Sequence, residues 1–148
     1  KYSKKYPLLR NKDLRAHGCF LSHILLLEKL LLSDYKYVLI LEDNIDIIKN
    51  IPNIISVPKD FSILSLEEER LGGIFYNLDF VRVTEGCGAC GYIINIESIN
   101  TILNKLKVTN LPIDLAYISL SRNNYIKMYI SKEKYLKRSS LKTTRKKY

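Results

Sequence analysis

The most constraining feature of this sequence is an apolar helix that leads into an apolar strand and then into a cluster of acids. Leucines recur at three-to-four spacing through residues 14–33, which predicts a helix buried on most sides. The uninterrupted apolar run Tyr37–Leu41 predicts a strand covered on both faces. Glu42, Asp43 and Asp46 follow at its carboxyl end. Ligands bind at that edge in open α/β sheets, so the segment favours an α/β fold with a site beside these acids.

The acids after the predicted strand are close enough to form a cation site. Three carboxylates within five residues repel one another unless a cation neutralises them. Hard divalent cations such as Mg²⁺ and Mn²⁺ prefer oxygen ligands of this kind. A solvated acidic turn explains the same residues, and the pattern alone leaves both interpretations open.

The rest of the chain alternates between predicted strands and helices. The predicted strands are 36–41, 61–66, 80–83, 91–95 and 125–130. The predicted helices, besides 14–33, are 96–107 and 115–120. Residues 1–12 and the pair Gly72 and Gly73 are predicted to be loops, and prolines interrupt 47–58. The alternation predicts an α/β fold with a mixed sheet.

Two short motifs invite a cofactor interpretation. Residues 86–91 match the glycine pattern of dinucleotide sites, but a strand-like segment follows where that site needs a helix. These glycines therefore predict a tight loop or a close backbone approach to a ligand. Cys87 and Cys90 could join Cys19 and His23, which are four residues apart, in a zinc site. Reduced, buried thiols are the simpler interpretation.

Length and charge indicate one domain, at 1–131, and a basic C-terminal tail, at 132–148. The chain has 148 residues, 47% of them apolar, which is enough for a buried core. No apolar stretch approaches the ~20 residues of a membrane span. The tail holds eight Lys or Arg and one Glu, and thus most of the net charge of +9. Such a tail can adsorb to anionic lipid, contact phosphates without reading sequence, or only improve solubility.

Three sequence blocks, in this order, resemble glycosyltransferase family 25. The first is GC-F-LSH at residues 18–23, followed by a helix and a strand that ends in Glu42 and Asp43. The second is GACGYII at 88–94, and the third is LPID at 111–114. The resemblance covers about residues 14–131.

The resemblance implies a mixed-sheet nucleotide-sugar transferase fold of the A type, which is Rossmann-like, here without the family's leading strand and helix. It implies transfer of galactose or another hexose from a UDP-sugar, with inversion. The acceptor would be a glycan, a lipooligosaccharide or a hydroxylysine. The protein would be cytoplasmic, with peripheral contact at the inner membrane face through the basic tail as an option. A eukaryotic or viral homologue would instead be linked to the endoplasmic reticulum. No specific nucleic acid partner is expected.

The resemblance also implies roles for individual residues. The residues expected to bind or organise the donor are Ser22, His23, Glu42, Gly88 and Gly91. Those expected to hold Mn²⁺ or Mg²⁺ are Glu42, Asp43 and Asp46, which would stabilise the departing nucleotide diphosphate. Inversion needs a general base, and the candidates are Asp114 and Glu67. A helix-cap or surface role for either acid, and a structural role for His23, are the alternatives.

This sequence departs from the family pattern at Asn44, where members carry a second Asp. An amide oxygen can ligate a cation but brings no charge, and Asp46 could replace the missing carboxylate. An inactive transferase-like fragment or pseudoenzyme is therefore the second hypothesis. A basic module that binds polyanions through its tail is the third.

Overall fold

The computed structural model describes residues 13–52, 55–67 and 71–139. Within these residues the chain forms a six-stranded sheet, a separate two-stranded sheet and three α-helices. The helices are α1 (Leu14–Leu30), α2 (Ile99–Leu106) and α3 (Ile113–Arg122), and a 3₁₀ turn, Ile96–Ser98, precedes α2. The strands are β1 (Tyr37–Leu41), β2 (Ile45–Ile47), β3 (Ile63–Ser65), β4 (Leu71–Phe75), β5 (Phe80–Gly86), β6 (Gly91–Asn95), β7 (Met128–Ser131) and β8 (Leu136–Arg138).

The larger sheet mixes parallel and antiparallel strands, which confirms the predicted fold class. Its order is β1-β6-β3-β7-β5-β4. The central pair, β3 and β7, is parallel, and the other neighbours in this sheet are antiparallel. The smaller sheet pairs β2 with β8 in antiparallel register. The arrangement is consistent with a Rossmann-like glycosyltransferase fold.

Alternate residues of the central strands face two different core clusters. Ile63 and Met128 pack with the buried faces of the helices in the larger cluster. Leu64 and Tyr129, the next residues along each strand, belong to a second cluster that also contains Leu136. This period of two is the geometry of a pleated strand, and it places the helices on one face of the sheet.

Helix α1 begins where the sequence predicts and ends at Leu30, three residues before the predicted end. Asp13 caps it, because its Oδ1 accepts hydrogen bonds from the backbone N–H groups of Arg15 and Ala16 at 2.9 and 3.4 Å. His23 lies on the buried face of the helix and is only 6% exposed. In the described part of the chain no helix is both long and apolar enough to cross a membrane.

The prediction that the β1 strand is covered on both faces is wrong. Strand β1 is an edge strand, paired with β6 in the six-stranded sheet. Tyr37, Leu39 and Leu41 are 45%, 39% and 43% exposed, whereas Ile40 is 6% exposed. An apolar run does not distinguish a central strand from an edge strand, because that difference depends on which other segments pair with it.

The prediction of a loop at Gly72 and Gly73 is also wrong, because both glycines lie in strand β4. The register between β4 and β5 shifts between these two residues. A Cβ on Gly73 would collide with the backbone carbonyl of Arg82. The glycines therefore allow two strands to approach closely at a bulge, and do not form a turn.

Strand β6 has the predicted ends, Gly91 and Asn95, and the remaining predicted elements occur with shifted ends. The helix predicted at 96–107 is divided into the 3₁₀ turn and α2, and α3 is longer than the predicted 115–120. Strand β5 extends past its predicted end to Gly86, and β7 begins at Met128. The short strands β2 and β8 were not predicted.

The folded domain continues past the predicted boundary at residue 131. Strand β8 pairs with β2, and Tyr135 and Leu136 are 5% and 0% exposed. The backbone N–H groups of both residues bond to the Leu66 carbonyl at 3.1 Å. The first part of the predicted tail is therefore docked structure. Residues 140–148 and the predicted loop 1–12 lie outside the described residues.

Replacing Leu136 with alanine should destabilise the protein by roughly 2–5 kcal/mol, because it removes a fully buried side chain from the second core cluster. Lys137→Ala, a change at an exposed neighbour in the same strand, should shift stability by no more than about 0.5 kcal/mol. Urea unfolding followed by circular dichroism measures both. Equal stability of the two variants would show that β8 contributes nothing to the fold.

Candidate functional site

A cavity of about 250 Å³ opens between α1, the end of β1, the start of α3 and β8. Segments that are far apart in the sequence meet there, including parts of all three motif blocks. The lining residues are Ala16, Cys19, Glu42, Asn44, Ala89, Cys90, Pro112, Ile113, Asp114 and Arg138. The cavity is therefore the candidate active site.

Strand pairing fixes the centre of this cavity. Strand β1 runs antiparallel to β6, with Leu41 opposite Gly91. One residue further on, the Glu42 backbone N–H donates to the Cys90 carbonyl at 2.8 Å. The carboxyl end of β1 therefore lies against the loop that enters β6. The acidic motif and the glycine-containing motif form adjacent walls for this reason.

The Glu42 side chain has hydrogen-bonding partners on more than one element of the site. Its Oε1 accepts from the Cys19 thiol at 3.4 Å and lies 3.4 Å from the His23 Nε2. The hydrogen bond from His23 lowers the pKa of Glu42, against the opposing effect of burial, and the thiols of Cys90 and Cys19 act in the same direction as His23. Glu42 is thus a carboxylate at neutral pH.

His23 connects Glu42 to two buried tyrosines. Its Nδ1 lies 2.7 Å from the Tyr92 hydroxyl, which lies 3.2 Å from the Tyr117 hydroxyl. The His23 and Tyr92 rings are stacked with their centroids 5.8 Å apart. Burial raises the pKa of both tyrosines, so they remain neutral hydrogen-bonding groups. This chain fixes the orientation of the His23 ring, and His23 contacts the site through Glu42.

Two thiols, Cys19 and Cys90, line the cavity together with Glu42. Burial has the larger effect and the negative charge of Glu42 the next largest, and both raise the pKa of each thiol, to about 12. The Arg138 guanidinium donates to the Cys90 sulfur from two nitrogens, at 3.2 and 3.0 Å. All three cysteines of the chain are free, in agreement with the interpretation as reduced thiols.

Arg138 is a site residue that was not predicted from the sequence, because it lies in the predicted tail, 132–148. Strand β8 places it in the cavity wall through the pairing of Arg138 with Ile45. The available signal was the apolar pair Tyr135 and Leu136, which interrupts the basic run just before it. An apolar pair within charged residues is typical of a docked segment.

Asn44, the departure from the family pattern, faces the cavity. Its side-chain Oδ1 is buried, and no hydrogen-bond partner for it exists among the described residues. Its backbone carbonyl accepts from the Ser139 N–H at 2.8 Å, which ties the loop after β1 to the end of β8. A buried amide oxygen without a partner is costly, and a ligand or cation at this position would satisfy it.

The other two acids predicted to bind a metal do not line the cavity. Asp43 is exposed. Asp46 lies in β2, where its pairing partner is Lys137. Within the described residues, the His, Cys, Asp and Glu side chains whose ligand atoms converge in a group of three are Cys19, His23 and Glu42. The assignment of Asp43, Asp46 and Glu42 to one cation stays a prediction.

The two predicted base candidates occupy different positions. Asp114 lines the cavity from the first turn of α3, and its Oδ1 accepts from the Leu115 N–H at 2.8 Å. Glu67 is 2% exposed and lies behind the cavity wall, where its Oε1 accepts from the Cys90 N–H at 3.3 Å. Asp114 is therefore the acid that an acceptor in this cavity can reach.

The remaining predicted donor-site residues, Gly88, Gly91 and Ser22, do not line the cavity. Gly88 has a φ of +131°, and a Cβ there would lie 2.9 Å from the Glu67 Oε1. A Cβ on Gly91 would collide with Leu136. Both glycines shape the wall and do not line it. Ser22 is exposed, and its hydroxyl donates to the Gly18 carbonyl at 2.9 Å, so it lies outside the cavity.

The model of glycosyltransferase family 25, described as an LPS biosynthesis protein, matches residues 14–117. The match covers more than half of the chain and includes all cavity residues except Arg138. No individual curated protein matches this chain.

The Cys19 thiol should react with iodoacetamide at pH 8 roughly 100- to 1,000-fold more slowly than a free cysteine, because a pKa of about 12 leaves little thiolate. Its rate should still rise above pH 9, where a free thiol of pKa ~8.5 levels off. Mass spectrometry of the alkylated peptide gives the rate, and the same chain in denaturant is the control. A plateau below pH 9 in the folded protein would contradict the expectation.

Proposed function

Because this chain belongs to glycosyltransferase family 25, we propose that it transfers a hexose, such as galactose, from a UDP-sugar to a glycan acceptor of lipopolysaccharide biosynthesis. The observation that carries the proposal is the cavity itself. The cavity brings together Glu42, the first acid of the acidic motif, and the cationic side chain of Arg138 in β8. The loop before β6 and the start of α3 also contribute to its lining. Sugar transfer from a nucleotide donor needs such a set of oppositely charged groups in one cavity.

The donor diphosphate needs positive charge, and Arg138 is the cationic side chain in the cavity lining. Its guanidinium donates two hydrogen bonds to the Cys90 sulfur, at 3.2 and 3.0 Å, which hold it beside the cavity. A planar guanidinium presents several donors in a geometry that matches phosphate oxygens. We therefore assign Arg138 to the phosphates of the UDP-sugar.

A hard cation fits the oxygen atoms beside Arg138. Glu42 and Asn44 both line the cavity, and the Glu42 carboxylate and the Asn44 Oδ1, which has no hydrogen-bond partner among the described residues, are ligands of the type that Mn²⁺ and Mg²⁺ prefer. When bound, such a cation stabilises the negative charge that develops on the departing nucleotide diphosphate. Asp43 and Asp46, the other predicted ligands, do not line the cavity.

Asp114 is the group that we assign to the acceptor. Inversion by direct displacement requires a base that removes the proton of the attacking hydroxyl. The Asp114 carboxylate lies at the cavity and remains partly exposed, so an acceptor hydroxyl can reach it. Glu67 would need the loop of Gly88 and Cys90 to move before it could act in the same way.

The nature of the acceptor determines where in the cell the proposed reaction would take place. A lipid-linked glycan acceptor would place the reaction at the cytoplasmic face of the inner membrane. Lys132 and Lys137 are exposed, and with the basic residues of 140–148 they would attract anionic lipid at about 1 kcal/mol each. Adsorption of this kind is peripheral and weakens as salt screens the charges.

Replacing Asp114 with asparagine should lower the kcat of sugar transfer by roughly 10²- to 10⁴-fold, because it removes the base but keeps the shape of the side chain. UDP binding should survive, since Asp114 is assigned to the acceptor. The measurement is UDP release from UDP-hexoses with Mn²⁺ and glycan acceptors, and the control is Asp34→Asn, a change in the exposed turn before β1.

Two results would contradict the proposal. Full activity in Asp114→Asn would exclude this acid as the base. UDP binding without turnover of any UDP-hexose by the unmodified chain would favour the inactive transferase-like protein, which the uncharged Asn44 also suggests.

Replacing Arg138 with alanine should weaken UDP binding roughly 10- to 100-fold, because charge-assisted hydrogen bonds contribute about 1.5–3 kcal/mol. The matched control is Arg122→Ala, since Arg122 is exposed at the far end of α3 and donates to the Thr84 carbonyl. Isothermal titration calorimetry at one salt concentration measures both. Equal UDP affinity in the two variants would remove Arg138 from the donor site.

A further inference from the structure

Cys19, His23 and Glu42 offer a sulfur, a nitrogen and an oxygen to one point at the cavity. Their ligand atoms all lie within 4.8 Å of one another. The Cys19 Sγ and the His23 Nε2 are each 3.4 Å from the Glu42 Oε1. Cys19 and His23 share one face of α1 because they are four residues apart.

Two of these separations, both to Glu42, match the edges of a tetrahedral zinc site. Zinc lies about 2.3 Å from sulfur and about 2.0–2.2 Å from nitrogen and oxygen. At a tetrahedral angle, such bonds place neighbouring ligand atoms about 3.3–3.6 Å apart. The two separations of 3.4 Å fall within this range. The two edges that meet at Glu42 therefore already have the length that a bound zinc ion requires.

The surroundings of His23 suit a metal ligand. Its Nδ1 is 2.7 Å from the Tyr92 hydroxyl, and that hydroxyl is 3.2 Å from the Tyr117 hydroxyl. When Nδ1–H donates to Tyr92, the lone pair of Nε2 points to the cluster. Metal-binding histidines are held by a second-shell partner of this kind. Cys19 and Glu42 line the cavity, so a fourth position is open to water.

We infer that Cys19, His23 and Glu42 bind a thiophilic divalent cation of the Zn²⁺ class, with water in the fourth position. The Cys19 thiol gives up its proton to solvent as the metal–sulfur bond forms, because the thiolate is the ligand. The set differs from the oxygen ligands assigned to Mn²⁺ or Mg²⁺, although Glu42 belongs to both. It also differs from the site with Cys87 and Cys90 that the sequence suggests.

The sulfur and nitrogen ligands determine which ions the site selects. Thiolate and imidazole favour Zn²⁺ and Co²⁺, whereas Mg²⁺ and Mn²⁺ prefer oxygen. The same 3.4 Å separations would also arise from hydrogen bonds that Cys19 and His23 donate to Glu42. The two interpretations differ in one measurable respect, since only a metal site forms a metal–sulfur bond.

Titration of the full 148-residue chain with Co²⁺ tests the inference. We expect one Co²⁺ per chain, the intense visible absorption of tetrahedral cobalt and a thiolate-to-cobalt charge-transfer band. One equivalent of Zn²⁺ should bleach both. Cys19→Ser should abolish the charge-transfer band and weaken Zn²⁺ binding at least tenfold. Cys87→Ser, which removes a thiol outside the cluster, should retain both properties.

Three results would overturn the assignment. The first is absence of the charge-transfer band in the unmodified chain. The second is retention of the band in Cys19→Ser together with its loss in Cys90→Ser. The third is Zn²⁺ binding no tighter than Mn²⁺ binding. Circular dichroism of each variant confirms that it folds.

The titration uses neither a sugar donor nor an acceptor. Failure of the transferase assays would leave the inferred site intact, and failure of the titration would leave the proposed transferase activity intact.

Discussion

The site depends on the partly buried carboxylate of Glu42 and on the groups that stabilise its charge. Its partners come from two elements that the chain must bring together, since His23 and Cys19 lie on α1 and Cys90 lies in the loop before β6. A charge in such a position is costly without partners. The packing of α1 against the sheet therefore determines the geometry of the cavity, and changes in that packing would reach the site directly.

The cavity lining and the residues behind His23 differ in chemical character. Behind His23, Tyr92 and Tyr117 are buried and remain neutral, so they stabilise its orientation and add no charge. In the lining itself, Arg138 and Asp114 carry opposite charges at positions that solvent reaches. A neutral, rigid support behind charged, accessible groups is the arrangement that favours preorganised binding of a polar ligand.

Much of the fold could be predicted because local patterns determine it. The apolar periodicity of α1, the run that forms β1 and the strand after Gly91 are properties of short segments. The exposure of β1 and the strand that contains Gly73 could not be predicted, since both depend on the neighbouring strand. In the site, the motif blocks predicted Glu42 and Asp114. Arg138 was missed because its position results from the pairing of β8 with β2.

The docking of β8 has a consequence for the order in which the protein is made. The chain emerges from the ribosome from its amino end at roughly 5–20 residues per second, so α1 and β1 are available long before Arg138. The loop after β1 is tied to β8 through the Asn44 carbonyl and the Ser139 N–H. During synthesis the cavity therefore lacks one wall until β8 has left the ribosome. A nascent chain can form the helical layer early, but Arg138 joins the cavity after the other lining residues.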